Sequence, residues 1–187
     1  MKCLITGGAG FIGSHLAEEL VRQKHQIIVI DNLSTGTLKN LRFIRNKIQF
    51  IKCDISKSNK LPELFYGVDY VFHLAGLSKA TESVKNPQKY YKNNMIGTLN
   101  ILNLVRTLKL KKFIYSASAS CYGNSKEIPT SETAKIHALS PYALTKWMSE
   151  KMIMEQAKIY KFPAISLRFF NIYGLCRLVT ADGKKES

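Results

Sequence analysis

Short apolar runs alternate with segments of helical periodicity along most of the 187-residue chain. The runs have the length and β-branched content of buried strands, whereas the intervening segments repeat apolar residues every three or four positions. This alternation predicts βαβ units, and therefore an α/β fold with a doubly wound parallel sheet covered by helices on both faces. We expect about six strands, near residues 2–6, 26–31, 48–53, 69–75, 112–117 and 164–169.

Three helices are predicted between these strands. Apolar residues recur every four positions from Ile12 to Leu20, and a second apolar stripe runs through residues 88–108. A third helix is expected over residues 140–160, because Ser140 followed by proline combines a capping hydroxyl with a residue suited to the first turn. Loops are predicted at residues 32–37, 76–87 and 119–139.

The hydrophobic content of 45% suits one buried core. We expect one domain over residues 1–174 and a divergent, polar tail over residues 175–187. No signal peptide or membrane-spanning run is recognised. The four cysteines lie far apart and form no CxxC pair, so neither a metal site nor a disulfide framework is expected, and a reducing cytoplasm is the simplest location.

The formal net charge of +15 raises the question of a polyanionic partner. The basic residues are spread along the chain, and no aromatic-interleaved nucleic-acid motif accompanies them. We therefore expect a lysine-rich surface that suits an anionic cofactor, with no nucleic-acid or membrane partner.

A glycine-rich segment, TGGAGFIG at residues 6–13, follows the first predicted strand directly. Gly7 would permit a tight turn, Gly10 a close backbone approach to a pyrophosphate, and Gly13 close packing of the next helix. The amino terminus of that helix would supply free N–H groups and positive dipole potential to phosphates. An ordinary strand-to-helix turn also uses glycines, so a second motif downstream is needed to indicate a dinucleotide site.

Asp31, at the end of the second predicted strand, is this second motif. An acidic residue at this distance accepts hydrogen bonds from the adenosine ribose of a dinucleotide. Its carboxylate would repel a 2′-phosphate, and the following Asn32 and Leu33 offer no arginine to neutralise one. The pair of motifs therefore predicts a Rossmann-type site for NAD rather than NADP.

Further motifs occur in a fixed order along the chain. They are Asp31-Asn32-Leu33, Asp54-Ile55, His73-Leu74-Ala75-Gly76, Asn93-Asn94, Gly97-Thr98, Ser116-Ala117-Ser118, Tyr142 to Lys146, and Arg168-Phe169-Phe170-Asn171. With TGGAGFIG, they resemble those of the extended short-chain dehydrogenase/reductases, the NAD-dependent nucleotide-sugar epimerase/dehydratase family. The resemblance spans residues 1 to about 174.

The resemblance implies a set of cofactor contacts. Asp54 and Ile55 would contact the adenine, the segment 74–76 would line the pyrophosphate and nicotinamide, and Asn94 would support the cofactor from the long helix. Without the resemblance, Asp54 fits a strand-end cap equally well. The implied NAD contacts are Gly7, Gly10, Phe11, Ile12, Gly13, Asp31, Asn32, Asp54, Ile55, Leu74, Ala75, Gly76, Asn94, Tyr142, Lys146 and Phe170; the implied substrate contacts are Ser118, Tyr142 and Asn171.

Catalysis is assigned to Tyr142, Lys146 and Ser118. Tyrosine is a weak base near neutrality unless a cation stabilises its phenolate, and a helix brings residues four apart onto one face. The pair Tyr122 and Lys126 has the same spacing but spans a turn-like stretch, so its side chains need not meet. Ser118, at the end of the fifth strand, would donate to the substrate oxygen while Tyr142 moves the proton.

The reaction is inferred from the residues after Ser118. The family's dehydratases carry acidic residues there and several decarboxylases carry glutamate, whereas this chain has Ala119 and Ser120. The resemblance therefore favours C4 epimerisation of a UDP-sugar through a 4-keto intermediate, with a dehydratase or decarboxylase as alternatives.

The family's substrate-binding C-terminal domain is expected to be absent, because the resemblance stops near Gly174. Two interpretations follow: a truncated product, which we favour, or a second polypeptide that supplies the domain. The same observation leaves open a catalytically impaired NAD-binding remnant or interaction module. The resemblance also implies a possible homodimer.

Overall fold

The computed structural model describes residues 1–57 and 65–174. Its centre is a six-stranded sheet in the order β3-β2-β1-β4-β5-β6, with every neighbouring pair parallel. The strands are β1 (Lys2–Thr6), β2 (Gln26–Asp31), β3 (Ile48–Lys52), β4 (Tyr70–His73), β5 (Lys112–Ser118) and β6 (Ala164–Phe169). The predicted doubly wound Rossmann fold with about six strands is confirmed.

Helices connect the strands. They are α1 (Phe11–Arg22), α2 (Ala80–Lys85), α3 (Pro87–Tyr90), a π-helix (Tyr91–Ile96), α4 (Gly97–Val105) and α5 (Pro141–Ile159), with 3₁₀ turns at Leu38–Leu41, Arg45–Lys47 and Ala119–Tyr122. The start of α5 follows the predicted signal, because the Ser140 hydroxyl accepts a hydrogen bond from the Ala143 N–H at 3.2 Å.

Two predicted boundaries need correction. The segment 76–87, predicted as a loop, contains α2 and the start of α3. The single helix predicted over 88–108 is composite, since α3 passes through the π-helix into α4, which ends at Val105. Apolar periodicity finds helical segments but does not distinguish a π-helical turn, in which hydrogen bonds join residues five apart, from the α-helical turns on either side.

The core lies on both faces of the sheet, because successive strand residues point to opposite sides. Leu4 and Ile28 face the side covered by α4 and α5, while Ile5 and Val29 face the side covered by α1. All four side chains are at most 3% exposed. Near-continuous apolar runs are what two covered faces require, and they explain why the central strands could be found in the sequence.

The reversal of strand order falls between β1 and β4. In open α/β sheets, this switch point opens a crevice at the carboxyl ends of the strands, where ligands bind. Thr6 ends β1 and His73 ends β4, so the glycine-rich segment and the segment 74–76 both leave the sheet at this edge.

The edge strand β6 has one face that is open to solvent. On β6, Ile165 is 43% and Leu167 is 38% exposed, so apolar side chains of this edge strand face solvent in the described structure. No helix within the described ranges has the length and apolar character needed to cross a membrane.

Candidate NAD and catalytic site

The glycine-rich loop is shaped by close backbone approaches. Gly7 has a φ of +72°, and a Cβ built on it would lie 2.7 Å from the Ala75 nitrogen. A Cβ on Gly13 would meet the Gly7 carbonyl oxygen and lie 2.6 Å from the Gly8 Cα. Since only glycine fits these two places, the loop is held tightly between β1, the start of α1 and the segment after β4.

The amino terminus of α1 is open to an anion. Gly10 is the residue that precedes the helix, and it provides no side-chain cap. The first N–H groups of an α-helix have no acceptor within the helix, and together with the helix dipole they attract phosphate. Phe11, Ile12 and Gly13 form this first turn, as the predicted pyrophosphate contacts require.

Asp31 fastens the glycine-rich loop to β2. One carboxylate oxygen accepts from the Ala9 N–H at 3.0 Å and the other from the Leu33 N–H at 2.8 Å. The side chain is 8% exposed, and burial raises the pKa of its carboxyl group above the ordinary value. Each oxygen keeps acceptor capacity for a further donor, so a ribose hydroxyl can still be bound.

Asn40 also holds the glycine-rich loop in place, and it was not predicted from the sequence. Its side-chain nitrogen donates to the Ala9 carbonyl at 2.8 Å, and the Thr37 N–H donates to the same oxygen at 3.1 Å. Asn40 is only 2% exposed. Nothing in the pattern around it marks it, because it lies between the predicted loop at 32–37 and the third predicted strand, far in sequence from the loop it holds.

Asp54 is a strand-end cap in this structure. Its carboxylate accepts from the Ser56 N–H at 3.0 Å and from the Ser56 hydroxyl at 2.7 Å. Burial alone would raise the pKa of this carboxyl group, but the two Ser56 hydrogen bonds, the charge of Lys57 and a side-chain hydrogen bond from Asn32 together lower it. The neighbouring Ile55 is buried. Asp54 and Asn32 therefore lie together, as an adenosine-side pair requires, and their cofactor contacts stay predictions.

Asn94 joins the segment after β4 to α5. Its side-chain oxygen accepts from the Leu77 N–H at 2.8 Å, and its nitrogen donates to the Leu77 carbonyl and the Thr145 hydroxyl, both at 3.1 Å. A Cβ on Gly76 would lie 3.2 Å from the Asn94 oxygen and 3.8 Å from the Lys146 Nζ. The predicted cofactor-lining segment 74–76 is thus held beside Lys146.

The three predicted catalytic residues come together at the carboxyl edge of the sheet. Tyr142 and Ser118 form a side-chain hydrogen bond, which opposes the rise that burial causes in the pKa of the Tyr142 phenol. Lys146, one turn further along α5, is 6% exposed, and burial lowers its pKa to about 7. A phenol, a hydroxyl and a buried lysine amine therefore share one site.

The competing pair is placed differently. Tyr122 lies in a 3₁₀ turn, and its hydroxyl accepts from the guanidinium of Arg168 at 2.5 Å. Arg168 also holds Glu150 through two nitrogens, the shorter contact being 2.6 Å, with both side chains at most 17% exposed. This network ties β6 to α5, so the Tyr122 hydroxyl is part of a structural ion-pair cluster.

Two residues that support Tyr142 were missed in the sequence. The Ser83 hydroxyl accepts from the Tyr142 N–H at 3.0 Å and donates to the Ala80 carbonyl at 2.5 Å. The Tyr90 ring meets the Tyr142 ring edge-on, with centroids 6.4 Å apart. Ser83 belongs to α2, the helix that was not predicted, so its contact with α5 had no signal in the periodicity.

A buried chain of hydroxyl and imidazole groups runs beneath the site. The Ala75 N–H donates to the Thr6 hydroxyl at 3.2 Å, which contacts His73 Nδ1 at 2.7 Å. On the other side, His73 Nε2 contacts the Thr98 hydroxyl at 2.9 Å, which donates to the Asn94 carbonyl at 2.5 Å. Since Thr98 uses its proton on Asn94, His73 must donate from Nε2 and accept at Nδ1.

His73 is therefore neutral in this chain of hydrogen bonds. Burial, with the charge of Lys146 as a smaller cause, lowers its pKa to about 3. The chain of hydrogen bonds links the backbone of Ala75, just after β4, to the backbone of Asn94 in the π-helix.

Comparison with known proteins decides the family. Residues 3–185 match the family described as NAD dependent epimerase/dehydratase family. The chain belongs to this family. A UDP-glucose 4-epimerase of Dictyostelium discoideum is 36% identical over 180 residues, which cover 92% of this chain and 52% of that protein. A UDP-glucose 4-epimerase of Lactobacillus helveticus is 36% identical over 176 residues, covering 93% of this chain and 52% of that protein.

Solved structures of the family agree. The UDP-glucose 4-epimerase of Thermotoga maritima with UDP-glucose has a TM-score of 0.88 at 37% identity, covering 93% of this chain and 57% of that one. The UDP-N-acetylglucosamine 4-epimerase of Methanobrevibacter ruminantium, in complex with UDP-N-acetylmuramic acid, has a TM-score of 0.88 at 33% identity, covering 92% and 56%. The chain spans about half the length of the epimerase-family relatives it matches.

Two residues assigned from the epimerase-family motifs lie outside the cluster formed by Ser118, Tyr142 and Lys146. Phe170 is 70% exposed, and Asn171, which follows it, is also exposed. The chain then returns toward the glycine-rich loop, since a Cβ on Gly174 would lie 3.5 Å from the Phe11 ring. The assigned cofactor contact of Phe170 and substrate contact of Asn171 stay predictions, and the predicted tail at 175–187 lies outside the described residues.

Proposed function

We propose that this chain binds NAD at the carboxyl ends of β1 and β4 and carries the catalytic groups for C4 epimerisation of a UDP-sugar. The observation that carries the proposal is the convergence of Ser118, Tyr142 and Lys146 beside the glycine-rich loop. The same edge of the sheet supplies an anion site, a ribose acceptor and a proton-transfer group, which is the combination that hydride-transfer chemistry on a sugar hydroxyl needs.

The residues present fit NAD. The places at Gly7 and Gly13 that a Cβ would fill keep the loop thin enough for a pyrophosphate to approach. Asp31 presents a buried carboxylate to the ribose and would repel a 2′-phosphate. Segment 74–76 and Lys146 line the nicotinamide side. When bound, NAD supplies a reversible acceptor for the hydride of the sugar carbon.

The chain's own groups manage the proton. Tyr142 removes the proton from the sugar hydroxyl as the carbon is oxidised and returns it as the carbon is reduced. The Lys146 ammonium, four residues along the same helix, stabilises the phenolate form. Ser118 donates a hydrogen bond to the same substrate oxygen and steadies the charge that develops there.

The surroundings of Ser118 favour epimerisation over elimination or decarboxylation. Ser120 donates from its N–H at 3.2 Å and from its hydroxyl at 2.9 Å to the Ser118 oxygen, so it acts as a partner of Ser118. Neither Ser120 nor Ala119 provides a carboxylate, and removing water or carbon dioxide calls for an additional acid or base. Reversible hydride transfer calls only for the groups already assigned.

The decisive experiment mixes the protein, NAD and UDP-glucose or UDP-N-acetylglucosamine, and follows the sugar C4 signals by NMR. We expect the C4 epimer to accumulate, the Tyr142→Phe variant to bind NAD normally without turnover, and the Tyr160→Phe variant at the exposed end of α5 to behave as wild type. A 4-keto-6-deoxy product would show that the chain acts as a dehydratase and not as an epimerase. Equal loss of NAD binding and turnover in Tyr142→Phe would contradict the assigned role.

A second candidate is an NAD-binding remnant or interaction module. It is favoured by one observation, the exposure of Phe170 and Asn171, to which the family resemblance assigns a cofactor and a substrate contact. Remote substrate contacts provide much of the binding energy that positions a reacting carbon. NAD binding without turnover of any UDP-sugar would establish this candidate.

The partner assignments are proposals of the same kind. The family resemblance predicts a homodimer, which analytical sizing checks, and the scattered charge predicts no nucleic-acid binding. Tight, salt-sensitive binding to DNA would overturn the latter. A cytoplasmic location stays a prediction from the separated cysteines.

A further inference from the structure

Tyr115 lies at the centre of β5 and is 1% exposed. Its ring stacks on the His73 ring, with centroids 5.6 Å apart and planes inclined by 25°. Its hydroxyl contacts the Lys146 carbonyl at 3.5 Å and shares a side-chain hydrogen bond with Ser149. The ring is therefore fixed from both ends, between β4 and α5, directly under the catalytic helix.

The Lys146 ammonium lies over this ring. Its Nζ is 4.5 Å from the Tyr115 ring centroid, well within the distance at which an aromatic face attracts a cation. A ring held rigidly in a buried position gives this attraction more weight than it has in water, because no solvent competes for the ammonium.

The other charged or titratable groups around Lys146 do not take the place of a counter-ion. His73 on β4 is neutral, and Tyr142 on the same helix is a phenol bound to Ser118. Glu150, one turn further along α5, is held by the Arg168 guanidinium from β6. With these charged groups neutral or paired elsewhere, the ring face of Tyr115 presents negative potential to the ammonium at close range.

We propose that the aromatic ring of Tyr115 is a positioning residue that holds the Lys146 ammonium through a cation–π contact and keeps it protonated beside Tyr142. The contact is a property of the chain without any ligand. Its use in turnover rests on the proposed function, since the protonated lysine is what stabilises the Tyr142 phenolate.

Two substitutions at Tyr115 distinguish the effect of the aromatic ring from the effect of its hydroxyl. Tyr115→Phe keeps the ring and loses only the contacts to Ser149 and the Lys146 carbonyl. Tyr115→Leu removes the ring and keeps most of the apolar volume. A matched control is Phe113→Leu, because Phe113 is a fully buried aromatic residue two positions earlier on the same face of β5, beside His73 and Phe162.

The test measures the pKa of Lys146 directly in the protein without cofactor. Lysine labelled with ¹³C at Cε is titrated by NMR, and the Lys146 signal is assigned by its loss in Lys146→Met. We expect Tyr115→Leu to lower this pKa by about one unit relative to wild type, and Tyr115→Phe and Phe113→Leu to leave it within about 0.3 units. An unchanged or raised pKa in Tyr115→Leu overturns the proposal.

Fluorinated phenylalanines at position 115 keep the test decisive if Tyr115→Leu does not fold. They preserve the shape of the ring while fluorine withdraws charge from its face. Relative to Tyr115→Phe, the pKa of Lys146 should fall with each added fluorine, and a flat series refutes the contact. Since these measurements need no substrate, their failure is distinguishable from a failure of the epimerase assignment.

If turnover is found, its pH profile gives a second measurement. The acidic group that must be protonated for activity should titrate at a lower pH in Tyr115→Leu, by the same shift as in the NMR titration, while Tyr115→Phe keeps the wild-type profile. A merely structural role for the ring would lower the rate at every pH without moving the profile, and that result would contradict the proposal.

Discussion

Lys146 is a buried cation, and its removal should stabilise the fold at low pH. The side chain is 6% exposed, and burial lowers its pKa from 10.5 to about 7. In the unfolded chain the lysine stays protonated up to its ordinary pKa, so between these two values the unfolded state binds more protons than the native state. The free-energy cost of burying the charged lysine is fully present below the pKa of the native state. It decreases as the pH rises toward the pKa of the unfolded state.

The size of the effect follows from the interval between the native and the unfolded pKa of Lys146. One pKa unit corresponds to about 1.36 kcal/mol, and when the pH is raised from about 6 to about 9.5 it crosses about 2.5 units of this interval. The wild-type protein should therefore gain about 3 kcal/mol of stability from this group over that range. The Lys146→Met variant keeps an apolar side chain of similar length and cannot show this gain.

The assay is urea denaturation of both proteins without cofactor, followed by circular dichroism at the two pH values. Lys146→Met should be more stable than wild type at the lower pH, and its advantage should shrink by about 3 kcal/mol at the higher pH. Lys151→Met, an exposed lysine on the same helix, is the control and should change little at either pH. An advantage that is equal at both pH values, or that grows with pH, would show that the pKa of Lys146 is not lowered in the folded protein.

Three further predictions concern the elements around the site. Gly13→Ala places a methyl group against the Gly7 carbonyl and should weaken NAD binding about tenfold or more by calorimetry; unchanged affinity would contradict the tight loop. Arg168→Met should destabilise the fold by about 3–5 kcal/mol in urea because Glu150 keeps a buried charge, and adding Glu150→Leu should recover much of the loss. Ser83→Ala should slow turnover while NAD affinity stays unchanged, since it frees the backbone N–H of Tyr142, the proposed proton-transfer residue; loss of affinity would show a different role.

The sheet and the start of α5 were predictable because single local signals specify them. A buried parallel strand needs a continuous apolar run, and Ser140 before a proline marks a helix start by its own chemistry. The glycine-rich loop and Asp31 were predictable for a similar reason, since their spacing in the chain reflects one strand-to-helix turn and one neighbouring strand.

The supporting residues were not predictable, because their contacts join segments distant in the sequence. His73 and Thr98 read as strand and helix residues until β4 and α4 are packed together. Tyr115 reads as one more apolar position of β5, although its ring lies under Lys146. Ser83 belongs to a short helix in a polar stretch where no periodicity could develop.

The double role of Asp31 constrains any change of cofactor preference. The carboxylate that would discriminate against a 2′-phosphate is also the acceptor for the Ala9 N–H of the glycine-rich loop and for the Leu33 N–H of the turn after β2. Replacing it with a small or basic residue, the obvious step toward NADP, would leave two backbone donors without their acceptor and cost about 1–3 kcal/mol for each donor that stays buried. An engineered or evolving NADP enzyme on this scaffold would have to rebuild the loop before, or together with, the change in its binding pocket.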